Sequence, residues 1–152
     1  MPALKSTTPT MAALNSGTNV NVRLLGAKEA QANIRALGPA ARRAMLSAFE
    51  KEAWKIIKTA QGGYVPVLSG DLVFSGMVHV HPGQYPTVEF GFGGKAKAYA
   101  VIQHENDEFN HPSGGQAHYL SVPVERAMGR VVNTVGEEIR AEFRKYDTRR
   151  FA

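Results

Sequence analysis

The sequence predicts a single α+β domain, in which a small antiparallel sheet with a hairpin packs against two long helices. Three observations predict it. Apolar residues recur at intervals of three and four over residues 39–61 and again over 121–145, the spacing of one helical face. Residues 77–81 and 87–92 alternate in character around Pro82, Gly83, Gln84, Tyr85 and Pro86, the pattern of two strands joined by a turn. A length of 152 residues supports one ordinary core but not two.

In chain order, residues 1–18 are rich in Thr, Ser, Ala and Pro without a period and are expected to form a flexible N-terminal arm. Asn19 to Leu25 alternates, with Val20, Val22 and Leu24 on one face, as in a half-buried strand. A short helix is expected over 27–37; Gly38 ends it and Pro39 starts the next at a favoured early position. That second helix runs to about Gln61 on a stripe of Ala41, Met45, Ala48, Phe49, Ala53, Ile56, Ile57 and Ala60, with Lys51, Lys55 and Lys58 opposite and Trp54 at the edge of the stripe. Trp54 reads as a helix-packing or subunit-contact residue. Gly62 and Gly63 break the helix, and a loop follows to about Gly76. In the hairpin Val78 and Val80 point one way, His79 and His81 the other. A short helix or turn is expected from about Ala98 to Glu105, then a loop over Asn106 to Gln116. The last helix opens at Ser121, Val122 and Pro123 and carries Val124, Ala127, Met128, Val131, Val135, Ile139 and Phe143 to about Lys145, leaving 146–152 as a polar tail.

The composition narrows the function. Hydrophobic residues at 43% and charged residues at 20% describe an ordinary globular domain. Without cysteine there is no disulfide framework and no thiolate metal site. No apolar run approaches the roughly 18 residues that span a bilayer, and the N-terminus lacks the order of a secretory signal, so a soluble protein made in the cytoplasm, with no membrane partner, is expected. A net charge of +5 and a pI near 9.6 suit an anionic partner. The excess is nevertheless spread along both helices rather than gathered in one motif.

The densest chemistry lies between Ala96 and Ala127, where His104, Glu105, Asp107, Glu108, His111 and His118 offer many potential ligands. The zinc-peptidase pattern needs two His four apart on a helix, and His104-Glu105-Asn106-Asp107-Glu108 places an acid where the second His belongs. In the hairpin, His79 and His81 share a strand face at a spacing that suits chelation. Neither Ser69 nor Ser113 stands in the G-x-S-x-G elbow that exposes a nucleophile. Residues 90–99 (FGFGGKAKAY) carry glycines and lysines but lack the G-x-x-x-x-G-K-[ST] order of a phosphate loop. No constellation here therefore needs catalysis to explain it, and no catalytic, metal or cofactor-binding residue is expected.

The order of parts resembles the tailed-bacteriophage neck proteins, the tail-completion, head-tail joining or minor capsid proteins. The resemblance covers roughly residues 19–145. It is carried by Val65, Pro66, Ser69, Gly70, Leu72 and Ser75 in a VP-x-x-SG-x-L-x-x-S loop; by Glu89, Phe90 and Gly91 closing the hairpin; by Tyr99, Ala100, His104 and Glu105; and by His111, Pro112, Gly114, Gly115, Ala117, Tyr119, Leu120 and Pro123 leading into the last helix. It implies a structural, nonenzymatic protomer of the virion neck, assembled in the host cytoplasm into a ring, commonly a hexamer. The ring would join the portal or adaptor of the DNA-filled head to tail-side neck proteins and let duplex DNA pass without sequence recognition.

A ring of identical subunits needs two different complementary surfaces on each protomer. The expected contacts are Tyr64, Val65, Pro66 and Leu72 from the first loop, and Tyr99, His104, Glu105, Phe109, His111, Pro112, Tyr119 and Leu120 from the second and its flanks. Tyr99 and Tyr119 would serve as aromatic anchors, with intradomain packing as their alternative use. Two other functions compete: a small basic nucleic-acid-binding protein, suggested by the pI and the terminal residues 144–150 (RKYDTRR), and a metal-dependent hydrolase built on His104, Glu105 and His111.

Overall fold

The computed structural model describes residues 12–13, 20–23, 38–83 and 85–149. The expected helix over 27–37 lies outside them, as do most of the arm and Asn19, Leu24 and Leu25 of the expected first strand. The architecture is α+β, with an antiparallel sheet packed against helices.

Among the described residues four strands form the sheet: β1 (Ala12–Ala13), β2 (Val20–Arg23), β3 (Gly76–His81) and β4 (Thr87–Phe92). Their order is β1-β2-β4-β3, and each neighbouring pair is antiparallel. Within the stretch expected as a free arm, Ala12–Ala13 thus pair with Val22 and Arg23. The hairpin sets Val78 opposite Phe90 and Val80 opposite Val88. Because the side-chain period of a strand is two, this register gives β3 a half-buried valine face and leaves His79 and His81 in solvent. β4 lies inside the sheet and buries Val88, Phe90 and Phe92. Among the described residues β3 is an edge strand.

Helix α1 spans Pro39–Gln61, the expected limits. Proline at the first turn suits a position with no helical partner for its missing N–H, and Arg42 N–H donates to Gly38 O at 3.0 Å. At the other end Gly62 N–H donates to Lys58 O at 3.0 Å and Val65 N–H to Ala60 O at 2.9 Å, so the chain turns off without stranding the last carbonyls. The buried stripe includes Leu46 and Glu52, which the sequence reading left out. Trp54 falls on the exposed side of the helix, 39% accessible.

Helix α2 spans Lys97–Glu105 after a short 3-10 turn over Gly94–Ala96, and α3 spans Ser121–Arg149. α3 reaches four residues past Lys145, through part of the segment expected to be a polar tail, because no Gly or Pro interrupts residues 137–149. α1 packs on β3 and β4 and also on α3. The core lies where these faces meet. Ile57, Phe90, Phe92, Val65, Leu120 and Val124 are fully buried there, each worth about 1.5–3 kcal/mol relative to exposure. α3 contributes Val124, Ala127, Val131 and Val135, while Val132 and Phe143 face solvent.

One charge is enclosed in this interface. Glu52 is 1% exposed, and its carboxylate accepts from Lys55 Nζ at 2.6 Å and from Arg130 Nε of α3 at 2.8 Å. Burial alone would push the carboxyl up; the hydrogen bonds and positive charges of Lys55 and Arg130 outweigh it and hold it below the usual glutamate range.

Candidate assembly surface

Two loops, 62–75 and 106–120, close against each other beside α2. Their junction is made by backbone. Gln116 N–H donates to Tyr64 O at 2.8 Å, and Gly114 N–H donates to His111 O at 2.9 Å to form the turn that brings them together. At Gly115, with φ +96°, a Cβ would lie 2.5 Å from Pro66 N and 2.7 Å from the Val65 carbonyl carbon. Only glycine fits so close an approach in that conformation. The paired glycines of the HP-x-GG motif are thus a clasp between the loops.

Tyr119 fastens the second loop to the core. Its ring is fully buried, stands edge-on to Phe92 at 5.5 Å and donates its hydroxyl proton to Ala100 O at 2.9 Å. Burial, with the Glu105 charge adding, holds that hydroxyl protonated far above the ordinary tyrosine range. Ala100 and His104 lie four apart on the inner face of α2, so the ring covers one turn of that helix. His104 is 4% exposed and stands edge-on to Tyr119 at 5.0 Å and to His118 at 5.4 Å. Its Nδ1 faces Glu105 Oε1 at 2.7 Å, and its Nε2 faces Ser121 Oγ at 3.1 Å. Burial lowers the imidazole's affinity for a second proton, with Glu105 opposing.

These placements revise the contact set read from the sequence. Val65, Pro66, Leu72, His104, Tyr119 and Leu120 are buried within the protomer. For Tyr119, the intradomain use is the one realised. The reason is packing: a loop bearing these apolar residues at a sheet-helix junction gains more by closing the core than by leaving them in water. Tyr64 and Tyr99 are half-buried, and Tyr64 receives a hydrogen bond from Arg126 of α3. Glu105, Phe109 and Pro112 are exposed, and His111 is half-buried with its Nε2 unpaired.

Between the loops and α2 lies an open cleft of about 330 Å³, lined by Pro66, Leu72, Tyr99, Gln103 and His111 among others. Val67 and Leu68 also line it, and Leu68 is 98% exposed; Phe74, on the same loop, is 85% exposed. The sequence reading names this loop as a contact segment without singling out these three residues. The signal was present in residues 65–74 (VPVLSGDLVF), which hold six large apolar side chains, more than one short loop turns inward. Large apolar groups held in water on a loop that the backbone clasps in place make that loop a candidate contact surface.

Among the described residues, the hairpin pair His79 and His81 gathers no third ligand; His81 Nε2 instead lies 3.4 Å from Glu89 Oε2. His111, grouped with His104 and Glu105 by sequence, faces the cleft, and the histidine that joins them in space is His118. Among the described residues, no helix is long and apolar enough to cross a membrane. Comparison with protein-family models, with curated proteins and with solved structures finds no match to this chain.

Proposed function

We propose that this chain is a structural protomer of a tailed-phage neck, assembling as a hexameric ring that joins the portal side of the head to the tail and lets duplex DNA pass. The observation that carries the proposal is the exposure of Val67, Leu68 and Phe74 on the 62–75 loop. In a ring these side chains pack on a different surface of the next subunit, as head-to-tail closure requires. The edge strand β3 offers a second means of contact, since its outer side has no strand partner among the described residues. The resemblance carried by the VP-x-x-SG, YA-x-x-x-HE and HP-x-GG segments supports the neck reading, and the clasped loops give those segments a shared structural purpose. The protein acts by shape, with many weak contacts summed around the ring. Exposed cations on both long helices, Arg43, Lys51 and Lys58 on α1 and Arg140 and Arg144 on α3, support weak, salt-sensitive contact with passing DNA.

Light scattering and electron microscopy of the purified chain, alone and with portal-side and tail-side neck proteins, test the proposal. A closed ring, or incorporation into the neck of particles, is expected. A chain that stays monomeric and never joins a particle overturns it. Tight binding of the isolated chain to duplex DNA at physiological salt favours the nucleic-acid-binding alternative.

A further inference from the structure

The polar residues at the end of α2 converge in a way that neither the fold nor the assembly surface requires. His104 and Glu105 close α2, and the chain returns over them so that His118 N–H donates to His104 O at 2.8 Å. His118 holds a left-handed backbone, φ 51°, the one non-glycine residue among those described that does so. One ligand atom from each of His104, Glu105 and His118 lies within 4.8 Å of the other two. Behind them stand two further groups. Asp107 Oδ1 lies 3.2 Å from His118 Nε2, and Ser121 Oγ lies 3.1 Å from His104 Nε2.

We propose that His104, Glu105 and His118 bind one divalent transition-metal ion of the zinc type, which clamps the end of α2 to the segment leading into α3. Two imidazoles and a carboxylate make a borderline donor set that suits zinc, cobalt or nickel and not magnesium or calcium, which take oxygen ligands. Three protein donors leave a further position for water. With metal-ligand distances near 2.0–2.1 Å, tetrahedral donors stand about 3.4 Å apart. The 2.7 Å between His104 Nδ1 and Glu105 Oε1 is already shorter than that, and His118 and Glu105, 43% and 60% exposed, are free to adjust by about 1 Å.

Ser121 makes the exchange chemically neutral. Without metal, the proton between His104 Nδ1 and Glu105 Oε1 sits on Nδ1, and the Ser121 hydroxyl donates to Nε2. With metal on Nδ1 the imidazole proton moves to Nε2 and donates to Ser121 Oγ, because a hydroxyl serves equally as donor or acceptor. Both ring nitrogens of His104 thus keep a partner in either state. Asp107 orients His118 as the carboxylate behind a metal-bound histidine does. The interior position of His104 excludes water from one side of the ion, and the exposure of Glu105 opens an entry path on the other.

The test is a zinc titration of chelator-treated protein by calorimetry, with cobalt substitution read by visible absorption and Tm measured alongside. Saturation at one ion per chain with micromolar or tighter affinity, a tetrahedral cobalt spectrum and a rise in Tm of several degrees are expected. Glu105→Gln and His118→Asn each weaken binding roughly tenfold or more. Asparagine tolerates the left-handed backbone at 118, so the metal-free variants keep the wild-type Tm to within about 2 °C. His81→Asn leaves the affinity unchanged. Absence of saturable binding up to about 1 mM zinc overturns the proposal. So does binding that survives both Glu105→Gln and His118→Asn, or that His81→Asn abolishes.

Discussion

Gly114 and Gly115 form a matched pair that separates two reasons for glycine. Both have positive φ, +95° and +96°, so an alanine at either carries about 1–2 kcal/mol of backbone strain. Their surroundings differ. A Cβ on Gly114 meets nothing within 4 Å, whereas one on Gly115 meets Pro66 N at 2.5 Å and the Val65 carbonyl carbon at 2.7 Å, against 3.4 Å or more for ordinary contact. The obstacle is backbone, so no side chain can swing away. The loops must part by roughly 1 Å, at an overpacking cost of about 1–3 kcal/mol. Parting also weakens the bond from Gln116 N–H to Tyr64 O, worth about 1 kcal/mol. Gly115→Ala is therefore expected to cost about 3–5 kcal/mol, and Gly114→Ala about 1–2 kcal/mol. In a domain of this size, where 1 kcal/mol moves Tm by about 2–4 °C, the drops are about 6–20 °C and about 2–8 °C. Thermal unfolding followed by circular dichroism reads both. Shifts within about 2 °C of each other would refute the clasp, because the strain they share would then account for everything.

Three further outcomes follow from the same geometry. Glu52→Gln keeps the side chain's shape but removes the charge facing Lys55 and Arg130; since both cations are more than half exposed and stay hydrated, the loss at neutral pH is about 1–3 kcal/mol by urea unfolding. Because folding depresses the Glu52 pKa, the stabilisation is fully present above the ordinary value of 4.5 and is lost as pH falls through the lower folded value. The gap between wild type and Glu52→Gln should close in that acidic window, and a gap independent of pH would contradict the ion-pair account. Tyr119→Phe removes the hydrogen bond to Ala100 O and is expected to lower stability by about 1 kcal/mol, a Tm drop of about 2–4 °C; an unchanged Tm would show that bond to be idle. Leu68→Asp combined with Phe74→Asp should leave monomer stability within about 0.5 kcal/mol while abolishing ring formation in light scattering, and rings that survive would exclude these side chains as the contact.

Much of the fold was legible because it rests on local periodicity. The limits of α1 follow from Gly38-Pro39 and Gly62-Gly63, and the alternation of β3 and β4 identifies the hairpin. These signals depend on chain geometry repeating every 3.6 or every two residues, which one sequence displays by itself. Glu52 was legible in principle too. It stands four residues from both Ala48 and Ile56 on the apolar stripe, and a charge at such a position demands a partner. Its partner Arg130 lies 78 residues away, which no local pattern reveals.

The loops were the harder case. Composition marks 62–75 and 106–120 as turn-rich and apolar in parts, but it does not say which apolar residue goes inward. Val65, Leu72 and Tyr119 close the core while Leu68 and Phe74 stand in water, a division made by where α2 and the sheet leave room. The same holds for the histidines. By sequence His104, Glu105 and His111 group together; in space the chain passes His111 into the cleft and returns His118 to His104. The sequence by itself determined the α+β class, the ends of α1, the hairpin and the glycines that permit the loops to meet. Only the tertiary structure decided which loop residues face water and which histidine completes the cluster, because both depend on contacts between segments far apart in the chain, whose energies carry no local period.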